Sequence, residues 1–244
     1  MAEFKLATEV VDLPSKGYLY SKDSPLSKGK IEIKYMTAKE EDILTNSSYI
    51  QKGTVLDKLF QSLIVDKINY DDLLIGDKNA IMIAARILGY GKDYTFTFDG
   101  VEETIDLTDV ENKEIDEDLF KSGKNEFEFT FPHSGNEITF KLLTHGDEAK
   151  IQREIDGLKK LNRNADPSLT TRLKHMILSV EGKTEKKDIR EFVDKYLLAR
   201  DARALREYIK SISPDVDLTF FPSGSETTKT IPIGVRFFWP DFGE

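Results

Sequence analysis

The sequence of 244 residues predicts an α+β fold made of two related halves, each with helices packed on small antiparallel β-hairpins. Three observations predict it. A strand running directly into a helix start occurs twice, as "IEIKYMTAKEEDIL" (31–44) and "ITFKLLTHGDEAKI" (138–151), at a constant offset of 107. A second pair, "LLIGDKNAIMIAARIL" (73–88) and "LLARDARALREYIKSI" (197–212), aligns at an offset of 124. Hairpin-like segments flank both pairs. Self-similarity of this kind is the signature of an internal repeat.

The first half spans residues 1–111. "GYLYSKDSPLSKGKIEI" suggests two strands around a turn, and Ile31, Ile33 and Tyr35 alternate as a half-buried strand does. Thr37 is an N-cap candidate, and Glu40 three residues later is placed to close a capping box. Val55, Leu56, Leu59, Phe60, Leu63 and Ile64 form a helical stripe. A further helix begins near Asp77. Its "AIMIAA" run is apolar all round, as in an enclosed helix, and "GYGK" (89–92) stops it. "YTFTFDGVEETIDL" then reads as a hairpin: Tyr94, Phe96 and Phe98 alternate before Asp99-Gly100, a pair suited to a type I′ turn.

An acidic connection, 112–124, leads to the second half, 125–244. "EFEFTFPHSGNEITF" is a hairpin with Phe140 and Leu142 facing inward, and Thr144 with Asp147 repeats the capping pattern. Leu169, Leu173, Met176, Ile177 and Val180 form the next helical stripe. A helix begins near Asp201, and "VDLTFFPSGSETTKTIPIGVRFFW" supplies the closing hairpin. The expected core is Leu59, Leu63, Ile81, Ile83, Phe140, Leu142, Leu173, Ile177, Leu205 and Ile209.

Composition narrows the function classes. Hydrophobic residues make up 39% of the chain and charged residues 32%, with a net charge of −9. Nucleic-acid binding needs a basic face, and an anionic membrane surface also disfavours an acidic chain, so neither is an expected partner. No apolar run approaches the roughly 20 residues of a membrane span, and the start lacks the apolar stretch of a signal peptide. There are no cysteines, which removes disulfides, thiolate catalysis and cysteine zinc sites.

Catalytic constellations are not evident. His133, His145 and His175 show no ligand spacing, and read as surface or boundary residues. "GKT" (182–184) lacks the upstream glycine of a phosphate loop and follows a helix instead of a strand. Asp77 and Asp201 recur across the halves, which favours helix-terminal roles over acid catalysis. No nucleophile, base and orienter assemble. The expectation is a non-enzymatic protein with no cofactor and no metal.

Six segments carry a family resemblance: "DLPSKGYLY", "MTAKEEDILTNSSYIQKGTVLDKLFQSLI", "DDLLIGDKNAIMIAARILGYGKDY", "LLTHGDEAKI", "DARALREYI" and "IPIGVRFFWPDF". Together they resemble a baseplate protein family of T-even-like contractile-tailed bacteriophages, whose members are hub subunits or hub assembly proteins. The similarity runs from about residue 10 to 242. It implies a structural hub or baseplate subunit, located in the virion after assembly in the host cytoplasm. Its partners would be other baseplate and tail proteins, with self-association within the baseplate also open. The alternative within the family is a transient assembly factor absent from the finished tail. Some relatives carry paired cysteines in the hairpins that close each half. The corresponding hairpins here have none, so aromatic packing by Tyr94, Phe96, Phe98, Phe220 and Phe221 must hold them.

The tail "IPIGVRFFW" reads as a closing strand. Ile231, Ile233, Val235, Phe237 and Trp239 share one face, and Pro232 favours an edge position. Arg236 and Phe238 fall on the opposite face, and Phe242 lies beyond the strand. These three are the candidate partner contacts.

Overall fold

A computed structural model describes residues 6–120, 123–161, 166–233 and 237–239. Strand β1 (Thr8–Asp12) pairs antiparallel with β2 (Lys30–Lys34), Val10 opposite Glu32. The first strand thus lies upstream of the expected "GYLY". Lys16 and Gly17 adopt φ of 50° and 80°, left-handed values that no strand accommodates. A Cβ on Gly17 would stand 2.4 Å from the Ser27 carbonyl oxygen, so the loop closes on itself only with glycine there.

Helix α1 (Ala38–Leu44) starts after Thr37, whose N–H and hydroxyl both donate to Glu40, at 3.0 and 2.6 Å. Short α2 (Ser47–Gln51) leads to α3 (Val55–Leu63), which buries Val55, Leu59, Phe60 and Leu63. Ile64 is already extended and bridges antiparallel to Ile33. Helix α4 (Ile75–Tyr90) is enclosed, burying Ala80, Ile81, Ile83, Ala85 and Arg86 among others. Arg86 ties its C-terminal end to the next hairpin by donating to the carbonyls of Gly91 and Asp93. That hairpin is β3 (Asp93–Phe98) with β4 (Val101–Asp106). Asp99 and Gly100 have φ of 48° and 84°, the two positive values of a type I′ turn.

In the second half, β5 (Phe127–Thr130), β6 (Glu137–Phe140) and β7 (Ile177–Val180) form one antiparallel sheet in that order. Helices α5 (His145–Leu161), α6 (Ser168–Met176), α7 (Lys186–Lys195) and α8 (Ala199–Ile212) surround it, and β8 (Thr219–Phe220) pairs with β9 (Lys229–Thr230). The expected stripe from Leu169 to Val180 is therefore a helix followed by a strand. Leu169 is 41% exposed, and the segment "ILSV" leaves the helix to pair with β6. Its β-branched ends suit a pleated surface better than a helix. Helix α7 was hidden in a charged segment, yet Ile189, Phe192 and Val193 give it a buried i, i+3, i+4 stripe. Of the ten residues expected in the core, only Ile209 is not fully buried.

Matching bonds recur between the halves. Lys34 Nζ lies 2.8 Å from Glu40 Oε1, and Lys141 Nζ lies 2.7 Å from Asp147 Oδ2. The Ile33–Ile64 bridge has its counterpart in the Phe140–Ile177 pair. Asp77 Oδ1 accepts from the Ser15 N–H at 2.9 Å, and Asp201 Oδ1 accepts from the His133 N–H at 2.9 Å. Each aspartate sits in the first turn of its helix and holds the loop after the half's first strand. Asp77 also accepts from the hydroxyls of Ser15 and Tyr20.

A single large core runs through both halves. At their seam the extended residue Leu74 bridges antiparallel to Thr144, with the His145 N–H donating to the Leu73 carbonyl at 2.8 Å. Two glycines let the backbones meet: a Cβ on Gly76 would stand 1.8 Å from the Pro214 oxygen, and one on Gly146 would stand 2.9 Å from the Asp71 Cβ. The acidic connection is docked. Its Lys113 N–H donates to Asp215, Asn112 bridges to Val216, and Phe120 is buried against Phe127.

Candidate functional site

The three residues expected to meet a partner do not form one surface. Arg236 and Phe242 lie outside the described residues. Phe238 is only 2% exposed, its ring 6.0 Å from Phe60 and 5.1 Å from Phe237. The expectation that it points outward rested on strand alternation through 231–239. Strand β9 ends at Thr230, and Phe237 and Phe238 occupy a tight helical turn. Consecutive side chains in such a turn are not sent to opposite faces, so both rings enter the core. The tail is a clasp on the first half. Tyr94 donates its hydroxyl to the Pro232 carbonyl at 2.7 Å, Phe237 stacks edge-on to Tyr94, and the Trp239 indole N–H donates to the Leu44 carbonyl.

The closing hairpins meet as well. Phe220 packs edge-on against Phe96 and Phe98, and Glu103 accepts from both the N–H and hydroxyl of Ser223. Phe221, expected to help hold them, is exposed.

The histidines resolve into separate structural roles. His145 opens α5 at the seam, with its ring centroid 4.6 Å from that of Tyr70. Its Nδ1 lies 3.3 Å from Lys78 Nζ, and that ammonium in turn contacts Asp57. Burial holds the imidazole below its usual pKa, against the pull of Asp57. A neutral ring accepting through Nδ1 from the lysine fits this arrangement. Burial likewise pushes the Tyr70 hydroxyl well above its ordinary range. His175 pairs with Glu154 at 2.9 Å, and His133 contributes its backbone to Asp201. Among the described residues, no group of three acidic or histidine side chains is placed to hold a metal ion. No described helix is long and apolar enough to cross a membrane.

Clefts open on both halves; in the first, one of about 450 Å³ lies along α4 and residues 107–112, and two in the second half carry more polar chemistry. A cleft of about 570 Å³ lies between the β5–β6 turn, β7 and the α7–α8 junction. Val180 and Phe192 line it with Ser134 and Asn136, and Tyr196 and Leu198 stand at its edge, 61% and 49% exposed. A second cavity of about 350 Å³ is lined by Lys141, Lys150, Lys174, Lys186 and Arg190, with Asp147 among them. Most of these cations have carboxylate partners: Lys141 has Asp147, Lys174 has Asp194 and Arg190 has Glu154. The Tyr196–Leu198 cleft is the candidate site, since it alone of the two joins exposed apolar side chains to a concave floor. Its sequence signal is the apolar "YLL" at 196–198, of which the repeat alignment pairs Leu197 and Leu198 with buried Leu73 and Leu74. No family model, curated protein or solved structure matches the chain.

Proposed function

We propose that this chain is a non-enzymatic structural subunit of a contractile-tailed bacteriophage baseplate, acting through protein–protein contacts with other baseplate and tail proteins. The resemblance running through most of the sequence supports the tail setting, and with it residence in the virion after assembly in the host cytoplasm. The contact role rests on one observation: Tyr196 and Leu198 stand exposed beside a cleft, while Phe237 and Phe238 of the tail are folded back into the core. Tyrosine is among the side chains in which interface energy concentrates, and Leu198 adds apolar area beside it. The two halves are read as copies of one fold, supported by the three pairs of matching bonds. Mass spectrometry of purified particles tests the reading. The chain is expected at stoichiometric copy number with the hub proteins; its absence from finished particles, with presence in assembly intermediates, would replace the subunit by a transient assembly factor.

A further inference from the structure

The second-half cavity of about 350 Å³ reverses the charge of the chain around it. The chain carries a net −9, yet five permanent cations line this cavity: Lys141 just after β6, Lys150 on α5, Lys174 on α6, and Lys186 and Arg190 on α7. The one lining carboxylate, Asp147, is only 5% exposed and is committed to its own helix cap. Its Oδ2 accepts from the N–H and hydroxyl of Thr144 as well as from Lys141, and Lys150 stands 3.9 Å from its other oxygen. Two more carboxylates act from outside the lining. Glu154 is shared between Arg190 and His175, and Asp194 holds Lys174. Lys186 is exposed, and no ion pair holds it among the described residues. Five permanent cations therefore meet three carboxylates. Glu185 and Lys187, on either side of Lys186, lie outside the lining and offset each other. The side chains of Ile177, Leu178 and Ile189 complete the wall and offer no acceptor.

We propose that this cavity binds a compact polyanion of the oligophosphate class. A concave site lined by one sign of charge over apolar walls focuses the field and concentrates counter-ions. Lysine and arginine are donor-only groups suited to phosphate oxygens, and Thr184 adds an exposed hydroxyl. Side-chain exposure is 15% at Lys174 and 26% at Lys141, against 55% at Arg190 and 61% at Lys150. Two cations are thus held in the wall in advance, which lowers the cost of ordering them around a ligand, while the others stand at the rim. The volume is that of a small-ligand site, which favours clustered charge over an extended acidic segment of a partner. The inference goes beyond the baseplate reading and does not depend on it.

Isothermal titration calorimetry of the full-length chain with inorganic tripolyphosphate, without divalent metal and at about 0.15 M salt, tests it. Saturable binding is expected, weakening at least about tenfold in Lys186→Glu and in Arg190→Glu. Both substitutions are at exposed positions, and unchanged thermal melts would show that each variant folds. Lys58→Glu makes the same change of charge on the exposed side of α3 in the first half and is expected to shift the affinity by less than about twofold. Adenosine triphosphate separates the sources of the group: tighter binding than tripolyphosphate assigns a nucleotide, and equal or weaker binding a free oligophosphate. Hexaglutamate is expected to bind at least about tenfold more weakly than tripolyphosphate. Absence of saturable tripolyphosphate binding to the wild-type chain overturns the proposal, as does binding that Lys186→Glu and Arg190→Glu leave unchanged. An equal loss in Lys58→Glu, or hexaglutamate binding as tight as tripolyphosphate, overturns it too.

Discussion

Glu40 offers the sharpest test of how this fold is held. Its carboxylate is fully buried at the start of α1 and accepts from Lys34 at 2.8 Å, from Ser62 at 2.7 Å, and from the hydroxyl and N–H of Thr37. Burial alone would raise its pKa, but these donors outweigh it and hold the group down from 4.5 to about 2. A carboxylate depressed that far on folding contributes about 3 kcal/mol of stability at neutral pH. The contribution is complete above the unfolded value of 4.5 and is lost as pH falls through the folded value of about 2. Gln reproduces the shape of the protonated acid and never ionises. Glu40→Gln should therefore cost about 3 kcal/mol at pH 7, shrinking to about 1.4 kcal/mol at pH 3. Urea unfolding followed by circular dichroism at stepped pH measures both curves. A gap below about 1 kcal/mol at pH 7, the scale of one ordinary hydrogen bond, or a gap unchanged down to pH 3, would refute the ionic account of this site.

Two further perturbations separate seam from clasp. Gly76→Ala drives a methyl into the Pro214 carbonyl and should cost at least about 1–3 kcal/mol. Gly157→Ala, on the exposed turn of α5 with nothing within 4 Å, should instead gain about 0.5–1 kcal/mol; equal effects of the two by thermal melting would remove the close-approach argument. Phe238→Ala should destabilise by about 3–5 kcal/mol as a buried ring against Phe60 and Trp239, whereas a loss within about 0.5 kcal/mol would return Phe238 to the surface.

The sequence by itself determined what depends on neighbours along the chain. The type I′ turn at Asp99-Gly100 follows from two residues that tolerate positive φ, and the paired boxes at Thr37–Glu40 and Thr144–Asp147 follow from cap chemistry three residues apart. Periodicity likewise sent Leu59, Leu63, Ile81 and Leu205 to the core. Tertiary structure decided where distant pieces meet. Ile64 and Ile177 continue a helical stripe in the sequence, but each leaves its helix because the edge of β2 or β6 is there to pair with it. Asp77 and Asp201 looked like helix-terminal charges, yet their oxygens reach loops 62 and 68 residues away. The tail shows the difference most plainly. An apolar segment announces that it must leave water, but the sequence does not say against what. The pocket formed by Phe60, Tyr94 and Leu44 decided that Phe237, Phe238 and Trp239 close the molecule itself. Leu74 and Leu198 carry the same local signal. One is buried and the other stands open, because burial depends on which surface the rest of the chain brings to it.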